Sequence, residues 1–215
     1  MDKPKEKICP ICNNHAHWRL NKLGVDYHQC TNCKTLFSVA IDQDGMVGGG
    51  AEVERNEQQN DGRIERIKTI FGGKVEGVKV LDFGCGNGLF VSDLNKAGYE
   101  ATGYDGFNEK FGVLPTKDTF HICTMIEVAE HLSSPFIEYD CIYRSLLKGG
   151  VLMIETSFVN VAEQENIPLE DFHYVAPQAG HSTIYSWHGL DLLLSRKGFT
   201  TLDHINRHVR LYIKK

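Results

Sequence analysis

The 215-residue sequence predicts an α/β fold with a mostly parallel sheet, preceded by a small metal-binding module. Three observations carry that expectation. Apolar strand-like runs alternate with helical spacings from about residue 63 onward, a glycine cluster follows the first of those runs, and two Cys-x-x-Cys pairs precede them all.

The cysteine pairs are Cys9-Pro10-Ile11-Cys12 and Cys30-Thr31-Asn32-Cys33, with seventeen residues between them. Each pair aims two thiolates at one point, and two pairs complete the tetrahedral shell of a zinc ribbon. Disulfides or a redox dithiol are the rival readings. Met1 to Lys7 is charged with no apolar stretch behind it, and no βαβ pattern surrounds either pair, which argues against both. Four sulfur ligands leave no open position for water, so this zinc is expected to be structural. His15, His17 and His28 are read as spare, and Cys85, Cys123 and Cys141, in apolar segments, as core thiols.

Asp42 to Gly50 ends in three glycines and marks a boundary. The expected division is a zinc ribbon over 1–41, a linker and helix start over 42–62, and the main domain over 63–215. Ile64, Ile67 and Phe71 have helical spacing, and Gly72-Gly73 stops that helix. Val78–Phe83 reads as a buried strand, Leu89–Ala97 as a helix closed by Gly98, Glu100–Asp105 as a second strand and Phe120–Ile126 as the next clear one. Ser134-Pro135 signals a helix to about Leu147, with Gly149-Gly150 separating it from a strand over Val151–Thr156. Trp187–Lys197 reads as a helix capped by Ser186. Thr200–Ile205 and Val209–Ile213 are joined so briefly that they must be antiparallel.

Composition narrows the function classes. Apolar residues at 41% and charged residues at 24% are those of an ordinary soluble globular protein. No apolar run is long enough to cross a bilayer, so no membrane partner and a cytoplasmic location are expected. A net charge of -5 argues against nucleic-acid binding by phosphate neutralisation. Residues 1–40 nevertheless hold Lys3, Lys5, Lys7, Arg19, Lys22 and Lys34 against Asp2, Glu6 and Asp26, which keeps an RNA-binding face on the module as an alternative.

The most informative segment is Val80-Leu81-Asp82-Phe83-Gly84-Cys85-Gly86-Asn87-Gly88. Glycines at the end of a first strand let the backbone turn tightly and approach a ligand at the carboxyl edge of the sheet. Asp82 stands two positions before the first glycine, where a carboxylate repels a pyrophosphate and attracts the cationic amino and sulfonium end of S-adenosylmethionine. Asp105, ending the second strand, is placed to accept hydrogen bonds from ribose hydroxyls.

At these residues the sequence resembles the class I methyltransferases, from about Ile64 to the C-terminus. Ile126-Glu127-Val128-Ala129-Glu130-His131, Leu146-Leu147-Lys148-Gly149-Gly150 and the stretch from His181-Ser182 to Ser186 extend the likeness toward ubiquinone-pathway and sugar methyltransferases. The resemblance implies a Rossmann-like sheet, direct methyl transfer, and cofactor contacts from Asp82, Gly84, Cys85, Gly86, Gly88, Asp105, Gly106, Phe107, Met125 and Ile126. Residues 106–119 are too few for the family's helix and third strand, so that strand is expected to be short or missing, with Phe107, Leu114 and Met125 serving the adenine.

Methyl transfer from a sulfonium needs alignment, exclusion of water and sometimes removal of a proton. Glu127, Glu130 and His131 follow the fourth strand of the family pattern, and His181 stands in a later loop. Together they resemble the metal-holding segment of plant-type small-RNA 2'-O-methyltransferases, which implies a possible second divalent ion. The simpler reading is that Glu130 and His131 orient the next loop and His131 acts as base. Ser157–Tyr185 is expected to be a lid and acceptor loop. The expected acceptor is an oxygen, or a carbon or nitrogen, of a small molecule or saccharide; the alternatives are RNA and a non-catalytic binding module.

Overall fold

A computed structural model describes residues 6–41, 53–132 and 135–215. The expected linker over 42–50 and the expected cap at Ser134 lie outside the described residues.

The N-terminal module is a small antiparallel sheet of β1 (Lys7–Ile8), β2 (His15–Lys22), β3 (Val25–Cys30) and β4 (Leu36–Phe37). The remaining elements are α1 (Val53–Ile70), β5 (Lys79–Phe83), α2 (Leu89–Lys96), β6 (Glu100–Tyr104), β7 (Phe120–Ile126), α3 (Pro135–Ser145), β8 (Leu146–Glu155), α4 (Val159–Glu165), β9 (Thr183–Ile184), α5 (Trp187–Arg196), β10 (Phe199–His204) and β11 (Val209–Lys214). The main sheet runs β10-β11-β8-β7-β5-β6, with β6, β5, β7 and β8 parallel and the last hairpin antiparallel. Among the described residues no third strand forms between β6 and β7, so β6 is an open edge.

The sheet has two apolar faces because successive strand residues point to opposite sides. Val80, Ile122, Val151 and Met153 pack under α1 and α2, which contribute Ile67, Phe90 and Leu94. Leu81, Cys123, Met125 and Leu152 face the other way, into a larger core with α3, α4 and α5. That larger core continues without a break into the module through Ile11, Tyr27, Leu36 and Phe37. β4 pairs with β9, so the module's sheet ends on a strand of the main domain.

Two expectations need correction. β8 begins at Leu146, so Gly149-Gly150 lies inside the strand; the register steps from Phe120↔Leu146 to Ile122↔Val151, and the glycines take up the surplus as a bulge. Segment 157–185 is no loose lid. It carries α4 and β9, and its Phe172, Val175 and Tyr185 are fully buried, because its apolar side chains complete the larger core.

α1 is fixed over the carboxyl edge by charge. Arg63 Nη2 lies 2.6 Å and Arg66 Nη1 3.1 Å from the two oxygens of Glu155 at the end of β8. Arg63 is buried, with further bonds to Asn60 and Gln59. Removing the shared anion should therefore cost more than removing one cation. Glu155→Ala is expected to destabilise by about 3–5 kcal/mol, and Arg66→Ala by less than about 1 kcal/mol. Denaturant midpoints of the two variants check the order.

Candidate functional site

The turn after β5 is built on left-handed backbone at Gly84, Gly86 and Gly88. A Cβ on Gly84 would lie 2.4 Å from Val128 Cγ2, and one on Gly88 2.4 Å from the Phe111 ring. Asp82 is buried just before this turn, and Thr124 donates to its Oδ1 at 2.7 Å. Burial pushes the Asp82 carboxyl up to about 6, against the opposing pull of that hydrogen bond and of Arg63. Ionising a carboxyl buried in this way costs free energy, a cost that an adjacent cation would offset.

Asp105 follows β6 and binds the turn itself: its two oxygens accept from Gly86 N and Phe107 N, each at 2.8 Å. Asn108 Nδ2 donates to Gly86 O at 2.7 Å, and the Phe111 ring covers Gly88 and Gly103. Asn108 and Phe111 were not singled out by sequence; their contacts depend on the short 105–112 segment folding back over the turn. Gly106 sits beside the Tyr104 hydroxyl, Phe107 and Leu114 are exposed, and Cys85 is buried against Gly103. Met125 is wholly buried in the larger core. Strand alternation puts Thr124 beside Asp82 and turns Met125 to the opposite face, into the larger core. Ile126 packs against the smaller core cluster.

Past the end of β7 a second group assembles. Glu127 adopts left-handed backbone, φ 53°, an arrangement costing about 1–3 kcal/mol in a non-glycine residue. Glu130 is fully buried; Thr156 Oγ1 donates to its Oε2 at 2.8 Å, and Tyr174 Oη stands 2.5 Å from its Oε1. The same Tyr174 oxygen lies 3.1 Å from Glu127 Oε2. One phenolic proton serves only one carboxylate. Lost hydration at the cavity wall, and then the neighbouring Glu130 carboxylate, raise the Glu127 carboxyl well above its ordinary value although the residue stays open to solvent, and a protonated Glu127 can supply the second bond itself.

His131 and His181 meet edge to face, with ring centroids 4.9 Å apart. Their Nδ1 atoms point at Gly180 O and Tyr174 O, at 3.2 and 2.8 Å. Carbonyls accept only, so both Nδ1 atoms carry hydrogen, and in the neutral imidazoles both Nε2 atoms present lone pairs. His131 Nε2 lies 3.7 Å from Glu130 Oε1, and ligand atoms of Glu130, His131 and His181 all fall within 4.8 Å of one another. Two imidazoles oriented through Nδ1 and one carboxylate are a donor set that fits a divalent transition metal. Glu127 is tied to this cluster only through Tyr174. A cavity of about 450 Å³ opens beside it, lined by Arg63, Arg66, Glu127, Ser157, His173 and Tyr174 among others.

The sequence-predicted thiols also converge. Cys9 and Cys33 Sγ are 3.7 Å apart, Cys12 and Cys30 Sγ 3.4 Å, and all four lie within 4.8 Å. Sulfurs at about 2.3 Å from a tetrahedral zinc are separated by about 3.8 Å, so the shell fits that ion. Backbone N–H groups of Ile11 and Cys33 point at the sulfurs of Cys9 and Cys30, as thiolates require.

The glycine turn gives a graded test. Gly86 has open space around its Cα and Gly88 does not, although both are left-handed. Gly86→Ala should cost only the backbone strain of about 1–2 kcal/mol, whereas Gly88→Ala should also displace Phe111 and melt several degrees lower. Thermal midpoints of both variants read the difference.

Comparison with known proteins agrees with this geometry. A family profile described as a methyltransferase domain matches residues 53–204. No curated protein matches the sequence. Among solved structures, a Burkholderia thailandensis 1,6-didemethyltoxoflavin-N1-methyltransferase, with that substrate and S-adenosylhomocysteine bound, superposes with TM-score 0.53 at 16% identity, over 86% of this chain and 97% of that one. A Mesorhizobium loti S-adenosylmethionine-dependent methyltransferase gives 0.51 at 15%, over 72% and 98%. The Synechocystis magnesium protoporphyrin IX methyltransferase with bound S-adenosylhomocysteine gives 0.50 at 13%, over 74% and 84%. On the span of the profile match, more than half its length, this chain belongs to the methyltransferase domain family.

Proposed function

We propose that the chain transfers a methyl group from S-adenosylmethionine to an oxygen of a small-molecule or saccharide acceptor, with a structural zinc in the cysteine module. The observation that supports the donor is Asp82, buried at the glycine turn with burial raising its pKa. The acceptor side is supported by the Glu130, His131 and His181 cluster next to the 450 Å³ cavity.

When bound, the donor supplies a methyl carbon open to in-line displacement, and the C–S bonding pair leaves with sulfur. The chain's own residues then have two tasks. Asp82 holds the donor's cationic end, and His131 Nε2 takes the proton from the attacking hydroxyl while Glu130, 3.7 Å away, stabilises the resulting imidazolium. A divalent ion held by Glu130, His131 and His181 would instead lower the hydroxyl's pKa.

The sign of the pH dependence follows from Asp82. A carboxyl raised in the fold contributes stability at low pH that is lost as pH rises through about 6, and a bound cation offsets that loss. Donor affinity should therefore be constant above pH 6 and fall as pH drops through it. Asp82→Asn should weaken S-adenosylmethionine binding roughly 10- to 100-fold, the range of one charged hydrogen bond, and flatten the pH profile. Titration calorimetry measures both, and absence of binding by the native chain would favour a non-catalytic module. Once an acceptor is found, His131→Ala should lower kcat about 100-fold or more with little change in donor affinity; unchanged turnover would remove His131 from the chemistry.

A further inference from the structure

We propose that the cysteine module braces the candidate catalytic cluster, with Tyr27 as the positioning residue that sets His181. The inference rests on the functional reading of His181 given above, but its geometry stands apart from it.

His181 reaches the cluster from segment 172–186, and the module grips that segment along its length. Tyr27, fully buried in β3, donates from its hydroxyl to His181 O at 2.7 Å. Ser38 N donates to Ser182 O at 2.8 Å, and Lys22 Nζ to Phe172 O at 3.0 Å. β4 and β9 pair through Leu36↔Ile184 and Phe37↔Thr183. Ser182 N in turn donates to Glu130 O at 2.9 Å, so Ser182 joins the module on one side to the acidic residue on the other.

The far end of the grip is the thiol shell. The Ser186 hydroxyl, which caps α5, also donates to Cys33 O, and Arg196 Nη1 donates to Ile11 O at 2.9 Å. Gly189 in the first turn of α5 is a glycine because Thr35 stands against it: an added Cβ would fall 2.1 Å from Thr35 Oγ1.

A module of this size buries too little surface to fold alone and depends on its metal. Losing that metal would release Tyr27, β4 and Ser38 together, leaving the Phe172, His181 and Ser182 carbonyls without these donors. Glu130 and His131 would remain anchored behind β7. The metal in one place thus controls the histidine in another, without touching it.

The test uses the full zinc-loaded chain and three perturbations: Tyr27→Phe, Gly189→Ala, and zinc removal by a chelator. Amide hydrogen exchange at residues 181–184 should accelerate at least fivefold in each, with the amides of β5 and β7 unchanged in the two variants. Proton NMR should show the imidazole Nδ1–H of His181, held by Tyr174 O, lost to solvent exchange in Tyr27→Phe, while His131 keeps its signal. S-adenosylmethionine affinity of Tyr27→Phe should stay within twofold of native. Zinc removal could unfold the whole chain, but Tyr27→Phe leaves every thiol in place and decides alone. Native exchange and a native His181 signal in Tyr27→Phe would overturn the brace. If the brace effects occur while His131→Ala turns over normally, the catalytic reading fails and the brace remains.

Discussion

The architecture turns on one electrostatic constraint: two acidic side chains, Asp82 and Glu130, are buried where β5 and β7 end side by side, with the more exposed Glu127 beside them. Like charges in a poorly solvated place repel, and each loses hydration as well. The sequence resolves this locally, with Thr124 on Asp82 and with Thr156 and Tyr174 on Glu130. Glu127 resolves it differently: lost hydration and the Glu130 charge raise its carboxyl, so it gives up its proton less readily than an ordinary glutamate. The edge is consequently an array of prepared acceptors with one spare donor, which suits chemistry that gathers a cation and moves a proton. Arg63 pulls on Asp82 and Glu127 from a distance, but its direct ion pair, like that of Arg66, is with Glu155. α1 therefore closes over the edge without neutralising the acids.

Much of this was legible in the sequence. Strand and helix positions came through because periodicity is a local property, and the four thiols and the glycine turn because each short spacing is itself a recognisable pattern. Glu130, His131 and His181 were legible through a resemblance in spacing. The rest depended on contacts distant along the chain. Tyr27 finds His181 across 154 residues and Tyr174 finds Glu130 across 44. Nothing in the neighbourhood of either tyrosine marks its hydroxyl as special. The burial of Met125 in the larger core follows from which face of β7 it occupies, and that face is set by the neighbouring strands. Segment 157–185 was expected as a lid and acceptor loop because a connection of that length is uncommon unless functional or mobile, and its apolar residues are part of the core.

The module's place follows from the same long-range logic. A free-standing ribbon would present both edges of its sheet to solvent, and unpaired edges invite association. Here β4 is paired by β9, and the apolar side of the module, with Ile11, Tyr27 and Phe37, is part of the main core. The -5 net charge and the modest basic excess of residues 1–40 matter less than this burial. The module's apolar face is covered by the chain's own main domain.

The missing third strand has a price at Asp105. With no strand beyond β6, the 105–112 segment must be held by the glycine turn, and Asp105 supplies the clamp through Gly86 N and Phe107 N. Both oxygens are thus already engaged from one side. Each keeps a second lone pair, so a ribose diol can still be received if it approaches opposite the two amides, and exchanging those amides for hydroxyls would gain little, since one hydrogen bond would merely replace another. In the proposed donor site, ribose recognition and loop closure would therefore draw on the same carboxylate. The Phe111 ring over Gly88 gives the loop a second hold, so closure does not rest on Asp105 alone.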